Sequence, residues 1–171
     1  MSGKLEKSFG NLLISGKEVA LGKFKKICGF VPQEDVMCCE MTVREIIVHS
    51  ARMRLPSTWK PSEIEHHADV IIETLKYNSC KSYSNLPSLA HVAHSIIGDG
   101  IQRGISGGQR KRVNIGIELA ATPICLCLDE PTSGLDSTAA LEVVENLRRI
   151  ARLGMTITAV IHQPRVEIFR K

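Results

Sequence analysis

The sequence predicts an α/β fold built on a parallel sheet, and three observations carry that prediction. Pro123 precedes the apolar run Ile124-Cys125-Leu126-Cys127-Leu128, which ends in two acids and then Pro131, the pattern of a strand buried on both faces. Ser106 is followed three residues later by Gln109, a capping-box spacing that starts a helix ahead of this strand. An amphipathic stretch from about Ser137 to Leu153 then leads to a second apolar strand, Thr156 to Ile161. At 171 residues with 43% hydrophobic content, the chain has the length of about one domain and can bury a sizeable core.

Taken in order, Leu12-Leu13-Ile14 before Ser15-Gly16-Lys17 reads as a strand and a turn. Lys25 to Val31 reads as a second strand, ended by Pro32, after which Gln33 opens a loop. Thr42 and Glu45 form another capping box, and the helix they start carries Val43, Ile46, Ile47 and Ala51 on one side until Pro56 stops it. Ile64, Ala68, Ile71, Ile72 and Leu75 recur at helical spacing, leaving Glu63, His66, His67 and Glu73 to face water. Tyr77 to Ser88 is rich in Asn, Ser, Lys and Pro and reads as a surface loop.

After Ser106 the local pattern is ambiguous. Val113, Ile115, Ile117 and Leu119 alternate as in a strand, whereas Val113, Gly116, Ile117 and Ala120 fit a helix. The capping box decides for helix, with burial on more than one side. In the helix from Ser137, Leu141, Val144, Leu147 and Ile150 are expected inward. Glu142 and Glu145 precede Arg148, Arg149 and Arg152, an order that complements the helix dipole, and Gly154 can close the end.

Two features carry chemistry. A helix starting at Ser106 presents free amides and its positive dipole end, and Gly107 and Gly108 lack the Cβ that would keep a phosphate away. Asp129 and Glu130 stand at the carboxyl end of the strand, where open α/β sheets hold ligands. Neighbouring strand residues point in opposite directions, so the two carboxylates can divide the work: Asp129 orienting Mg²⁺ through its water shell, Glu130 polarising an attacking water.

Composition excludes several other classes. The formal net charge of +4 is dispersed, with one tight cluster at Arg110-Lys111-Arg112, and aromatic residues are scarce at 4%, so no nucleic-acid partner is expected. The six cysteines form no CxxC pair, and two of them, Cys125 and Cys127, lie in the strand expected to be buried, which suits a reduced compartment. His91 and His94 with Cys38 and Cys39 have no spacing that specifies zinc. No apolar run approaches the ~18 to 20 residues that cross a bilayer.

Ile105-Ser106-Gly107-Gly108-Gln109 resembles the signature motif of ATP-binding-cassette (ABC) ATPases, and Ile124 to Glu130 resembles their Walker B strand. Ser133-Gly134-Leu135-Asp136 is similar to the D-loop, His162 to the switch histidine and Gln33 to the Q-loop glutamine. Arg103 to Asn114, Ile161-His162-Gln163-Pro164 and Phe30 to Asp35 narrow the resemblance to the G subfamily, the half-transporters of the white and breast-cancer-resistance type. It implies a P-loop NTPase-like core with a mostly helical subdomain over about residues 34–105, then signature, Walker B, D-loop and switch region over 106–171. It implies ATP and Mg²⁺ as cofactors, with Glu130, His162 and Gln33 catalytic, Ser106, Gly107, Gly108, Gln109 and Asp136 on the nucleotide, and Asp129 and Gln33 serving Mg²⁺ through water.

The resemblance further implies two partners: a second ATP-binding domain, whose phosphate loop faces this signature helix, and a transmembrane domain of the same full-length protein on whose cytosolic side this domain lies. The Tyr77–Ser88 loop looks like an insertion relative to that family. One family motif is missing, since no G-x-x-x-x-G-K followed by Ser or Thr occurs, and Ser2-Gly3-Lys4 is only a superficial echo. The expectation is therefore a partial nucleotide-binding domain, lacking the phosphate-loop strand and helix start, and inactive alone. A non-transport ABC ATPase and a catalytically silent, partner-binding chain are the alternatives.

Overall fold

The computed structural model describes residues 13–14, 16–18, 27–76, 92–99 and 102–162. The echo at residues 2–4, the loop at 77–88, His91 and the Gln163-Pro164 pair lie outside the described residues. A short hairpin comes first, β1 (Leu13–Ile14) pairing antiparallel with β2 (Lys17–Glu18) around Gly16, whose φ of 76° is the left-handed conformation that glycine tolerates best. The strand and turn are as expected, and the return strand Lys17–Glu18 adds to them.

Among the described residues the central sheet has three parallel strands in the order β3 (Cys28–Val31), β4 (Cys125–Asp129), β5 (Thr156–Val160). Cys28 aligns with Cys125, and Asp129 with Val160, so the carboxyl ends of all three strands share one edge. Between β3 and β4 come α1 (Val43–Arg54), α2 (Pro61–Lys76) and α3 (Gly107–Leu119), and α4 (Ser137–Arg152) joins β4 to β5. The Thr42–Glu45 capping box forms as its sequence spacing requires, and Thr42 also bridges to Ile96.

Helix α3 resolves the ambiguity of the 113–119 stretch. Val113, Asn114, Ile115, Gly116 and Leu119 are all buried because α3 is enclosed by α1, α2, α4 and β3. Gly116 is the point of closest approach: a Cβ there would lie 2.9 Å from Leu75 Cδ1 and 3.2 Å from Ile47 Cδ1, so α1 and α2 pack where the side chain is missing. Arg54 then makes a two-pronged ion pair to Glu118 at 2.8 and 2.9 Å, and Glu118 accepts from the Phe30 amide at 3.1 Å. The strand before Gln33 is thereby fixed to two helices.

Two expectations about burial on α4 and β4 need correction. On α4 the inward face is Ala140, Val143, Asn146, Leu147 and Ile150, while Leu141 and Val144 are half-buried. A strict spacing of three drifts around a helix of ~3.6 residues per turn, so Leu141 and Ile150, nine residues apart, stand on opposite sides. The second concerns β4, expected to be buried on both faces. Leu126 and Leu128 are buried beneath the helices with Val31, but Cys127 is exposed, as are Phe30 (57%) and Val160 (61%) on the same face. A second covering layer is needed to bury that face, and an apolar run cannot report whether one is present.

Cys125 is correspondingly half-buried rather than sealed in the core. Its Sγ lies 3.0 Å from that of Cys28 on the neighbouring strand, and this thiol contact together with burial pushes the Cys125 pKa up to about 11. Among the described residues no group of three or more metal-ligating side chains converges, and no helix is long and apolar enough to cross a membrane.

Candidate functional site

The carboxyl edge of the sheet collects the predicted residues from three strands. Asp129 ends β4 and is exposed, whereas Glu130 lies just past the strand at a φ of 44°. The two carboxylates are therefore separated by a left-handed turn rather than by the pleat of a strand. That conformation costs a non-glycine residue about 1–3 kcal/mol and persists only where surrounding contacts hold it. Here the Glu130 amide donates to the Val160 carbonyl at 2.9 Å, and the Glu130 carbonyl accepts from the Ser133 amide at 3.0 Å.

Gln33, just past β3 and Pro32, reaches across to this turn. Its Nε2 donates to Glu130 Oε2 at 3.0 Å and to Ser133 Oγ at 3.3 Å. Residues 97 positions apart in sequence thus share one hydrogen bond because parallel β3 and β4 end at the same edge. Ser133 is a member of this cluster that the sequence offered only as part of a motif. His162 lies two residues past the end of β5, exposed at the same edge, and is not hydrogen-bonded to the Gln33–Glu130 pair.

The signature turn is built separately. Ser106 Oγ accepts from the Gln109 amide at 3.3 Å, and Gln109 Oε1 accepts from the Ser106 amide at 2.9 Å, completing the capping box. The two glycines that follow are not equivalent. Gly107 is exposed, with only Leu135 Cδ2 near a hypothetical Cβ, at 3.5 Å. Gly108 is buried, and a Cβ there would lie 2.8 Å from the Ala139 Cβ, so its missing side chain serves the packing of α3 against α4. Gly107 is the glycine that leaves the backbone open to an anion.

Asp136, expected on the nucleotide, is the N-cap of α4, where its carboxylate accepts from the Thr138 and Ala139 amides at 3.2 and 3.4 Å. Behind the site, buried Lys111 contacts Asp35 and the Gln33 carbonyl, an arrangement hidden in sequence within the basic run 110–112. The signal was available in the spacing: Gly108, Lys111 and Ile115 fall on one inward stripe of α3. A groove of about 450 Å³ opens at the other end of the sheet between His67, Ile124 and Leu153 and contains none of these residues.

The donor set fits Mg²⁺ and a phosphate. Two carboxylates and a side-chain amide at one solvent-facing edge are hard oxygen donors, and the open amide at Gly107 is suited to an anion. A parallel sheet with these groups at its carboxyl ends, over a capped and glycine-opened helix, defines an α/β protein of the P-loop NTPase fold.

The family model described as ABC transporter matches residues 1–133. The chain belongs to the ABC transporter family, and its relatives are of the G type. It is 41% identical to the ABC-type transporter claG of Penicillium crustosum over 99% of its length and 21% of that protein's. It is 43% identical to ABC transporter G family member 28 of Arabidopsis thaliana over 94% of its length and 13% of that protein's. To family member 14 of the same plant it is 39% identical, over 99% and 24%. The chain therefore spans less than a quarter of the length of these relatives.

Proposed function

We propose that these residues form part of the ATP-binding and ATP-hydrolysing domain of a G-type exporter, in which hydrolysis drives transport across a membrane. The observation that supports this most is the Gln33–Glu130 hydrogen bond beside Asp129, which joins a loop residue to a carboxylate held in a left-handed turn. In this reading a Glu130 carboxylate oxygen takes the proton of the attacking water, and the Gln33 amide orients that carboxylate. Asp129 and Gln33 would hold Mg²⁺ through its water shell, and the cation would offset the negative charge of the phosphates. Exposed His162 at the same edge contacts the terminal phosphate.

Ser106, Gly107 and Gln109 face the nucleotide of a second ATP-binding domain, homologous or identical, while Asp136 shapes the D-loop between the sites by capping α4. Gly108 supports that surface from inside, through its contact with Ala139. The helices of residues 34–105 are a subdomain that docks on the transmembrane domain of the full-length protein. The test is Glu130→Gln in the full-length protein. Nucleotide binding should be kept while turnover falls ~10²- to 10⁴-fold, because the amide preserves shape and loses the base. Near-normal hydrolysis by that variant would sink the assignment.

A further inference from the structure

Lys111 lies one turn into α3, and its side chain is only 3% exposed. An ammonium taken out of water costs several kcal/mol unless it is well paired, so a lysine here needs specific partners. Both of its contacts lie in the segment after β3: Nζ is 2.7 Å from Asp35 Oδ1 and donates to the Gln33 carbonyl at 2.8 Å. Asn114, one turn further along the same face, donates to the same Asp35 oxygen at 3.1 Å. Residues 33 to 35 are thus gripped through a backbone carbonyl and a carboxylate by two adjacent side chains of α3.

The other side of the same glutamine completes the connection. While its carbonyl is held by Lys111, the Gln33 side chain donates to Glu130. A shift of α3 therefore moves Gln33 relative to the carboxylate. A surface ion pair would yield to such a shift by exchanging partners with water, which a side chain buried to this degree cannot do cheaply.

We propose that Lys111 is a positioning residue: through its buried pairing with Asp35 and the Gln33 carbonyl, it couples the placement of the signature helix to the Gln33–Glu130 contact. The proposal rests on the reading of Glu130 as general base, and its test separates the two. In the full-length protein, Lys111→Met keeps the length and apolar stem but removes the charge. Its kcat should fall about 10- to 100-fold, as for a misplaced group away from the chemistry, with the KM for ATP changed far less. Lys111→Arg should recover part of the loss.

In a Gln33→Ala background Lys111→Met should add little, because its effect passes through Gln33; a merely structural role would give additive losses. Independently of activity, hydrogen exchange at the amides of residues 33–36 should accelerate in Lys111→Met while α3 stays protected. Additive losses, or unchanged exchange at 33–36 in a folded variant, would overturn the proposal. Asp35→Asn, which keeps shape and removes the partner charge, should show the same pattern more weakly, and it decides the matter where Lys111→Met does not fold. An active Glu130→Gln with accelerated exchange in Lys111→Met would refute the base and leave the clamp standing.

Discussion

The His67 ring lies 5.4 Å from that of Trp59, inclined at 60°, and its Nε2 is buried without a hydrogen bond of good geometry. Burial pushes its pKa below the usual 6.5, the nearby Ala120 backbone opposing this more weakly. The helical pattern of α2 assigned His67 to water, but the turn before the helix brings Trp59 against it, a contact no periodicity within α2 can report. The folded chain takes up this proton at lower pH than the unfolded one. The contribution to stability is therefore complete above pH 6.5 and is lost as pH falls through the depressed value. Trp59 is the one tryptophan in the sequence, so its emission should fall on acidification, with a midpoint below 6.5, as an imidazolium forms beside it. A pH titration of fluorescence checks this: His67→Gln should flatten the curve, and a midpoint at or above 6.5 would contradict it.

Among the elements, α3 carries most of the organisation. Its capping box was legible because Ser106 and Gln109 need only each other's backbone, and the three-residue spacing is written in the chain. What it packs against was not legible, and the Arg54–Glu118–Phe30 connection shows why. These residues come together from α1, α3 and β3, 64 and 88 positions apart. Glu118→Ala would leave the Phe30 amide without its acceptor and the Arg54 guanidinium with only the Ile117 carbonyl at 3.4 Å, and should destabilise the fold by about 1–3 kcal/mol. Chemical denaturation of the variant measures this, with a loss under half a kcal/mol placing the pair among ordinary surface ion pairs. The same element-scale reasoning explains α4: its charge order and closing Gly154, at a φ of 99°, were readable locally. The phase of its buried face was set by what lies beneath it.

At the scale of the whole molecule, the site is assembled from loops that follow three parallel strands, and its acidic edge sets what the chain alone should do with a triphosphate. Carboxylates at the sheet edge repel phosphates unless a cation intervenes, and no G-x-x-x-x-G-K followed by Ser or Thr is present in the 171 residues to supply amides and a lysine. The 171-residue chain alone should therefore show no measurable Mg-ATP binding by calorimetry, although Gln33, Asp129, Glu130 and His162 are all in it. Micromolar affinity would mean that another segment performs the missing role. Among the described residues β5 pairs only with β4, so its outer edge and the exposed face with Phe30, Cys127 and Val160 should make the isolated chain prone to association.

The sequence by itself determined the fold class, the helix starts at Thr42 and Ser106, the strand ending in Asp129 and the family, because each depends on residues close together in the chain. The roles expected of Gln33, Glu130 and His162 came from their order among recognised motifs. Tertiary structure alone decided the rest. It placed Gln33 on Glu130, put Glu130 in a left-handed turn beyond its strand, separated the exposed Gly107 from the packed Gly108, gave Asp136 to a helix cap and buried Lys111 against Asp35. Each of these depends on which segments the parallel sheet brings to one edge and how closely α3 is enclosed; apart from the inward stripe that carries Lys111, contacts between residues tens of positions apart leave no periodic trace in either segment.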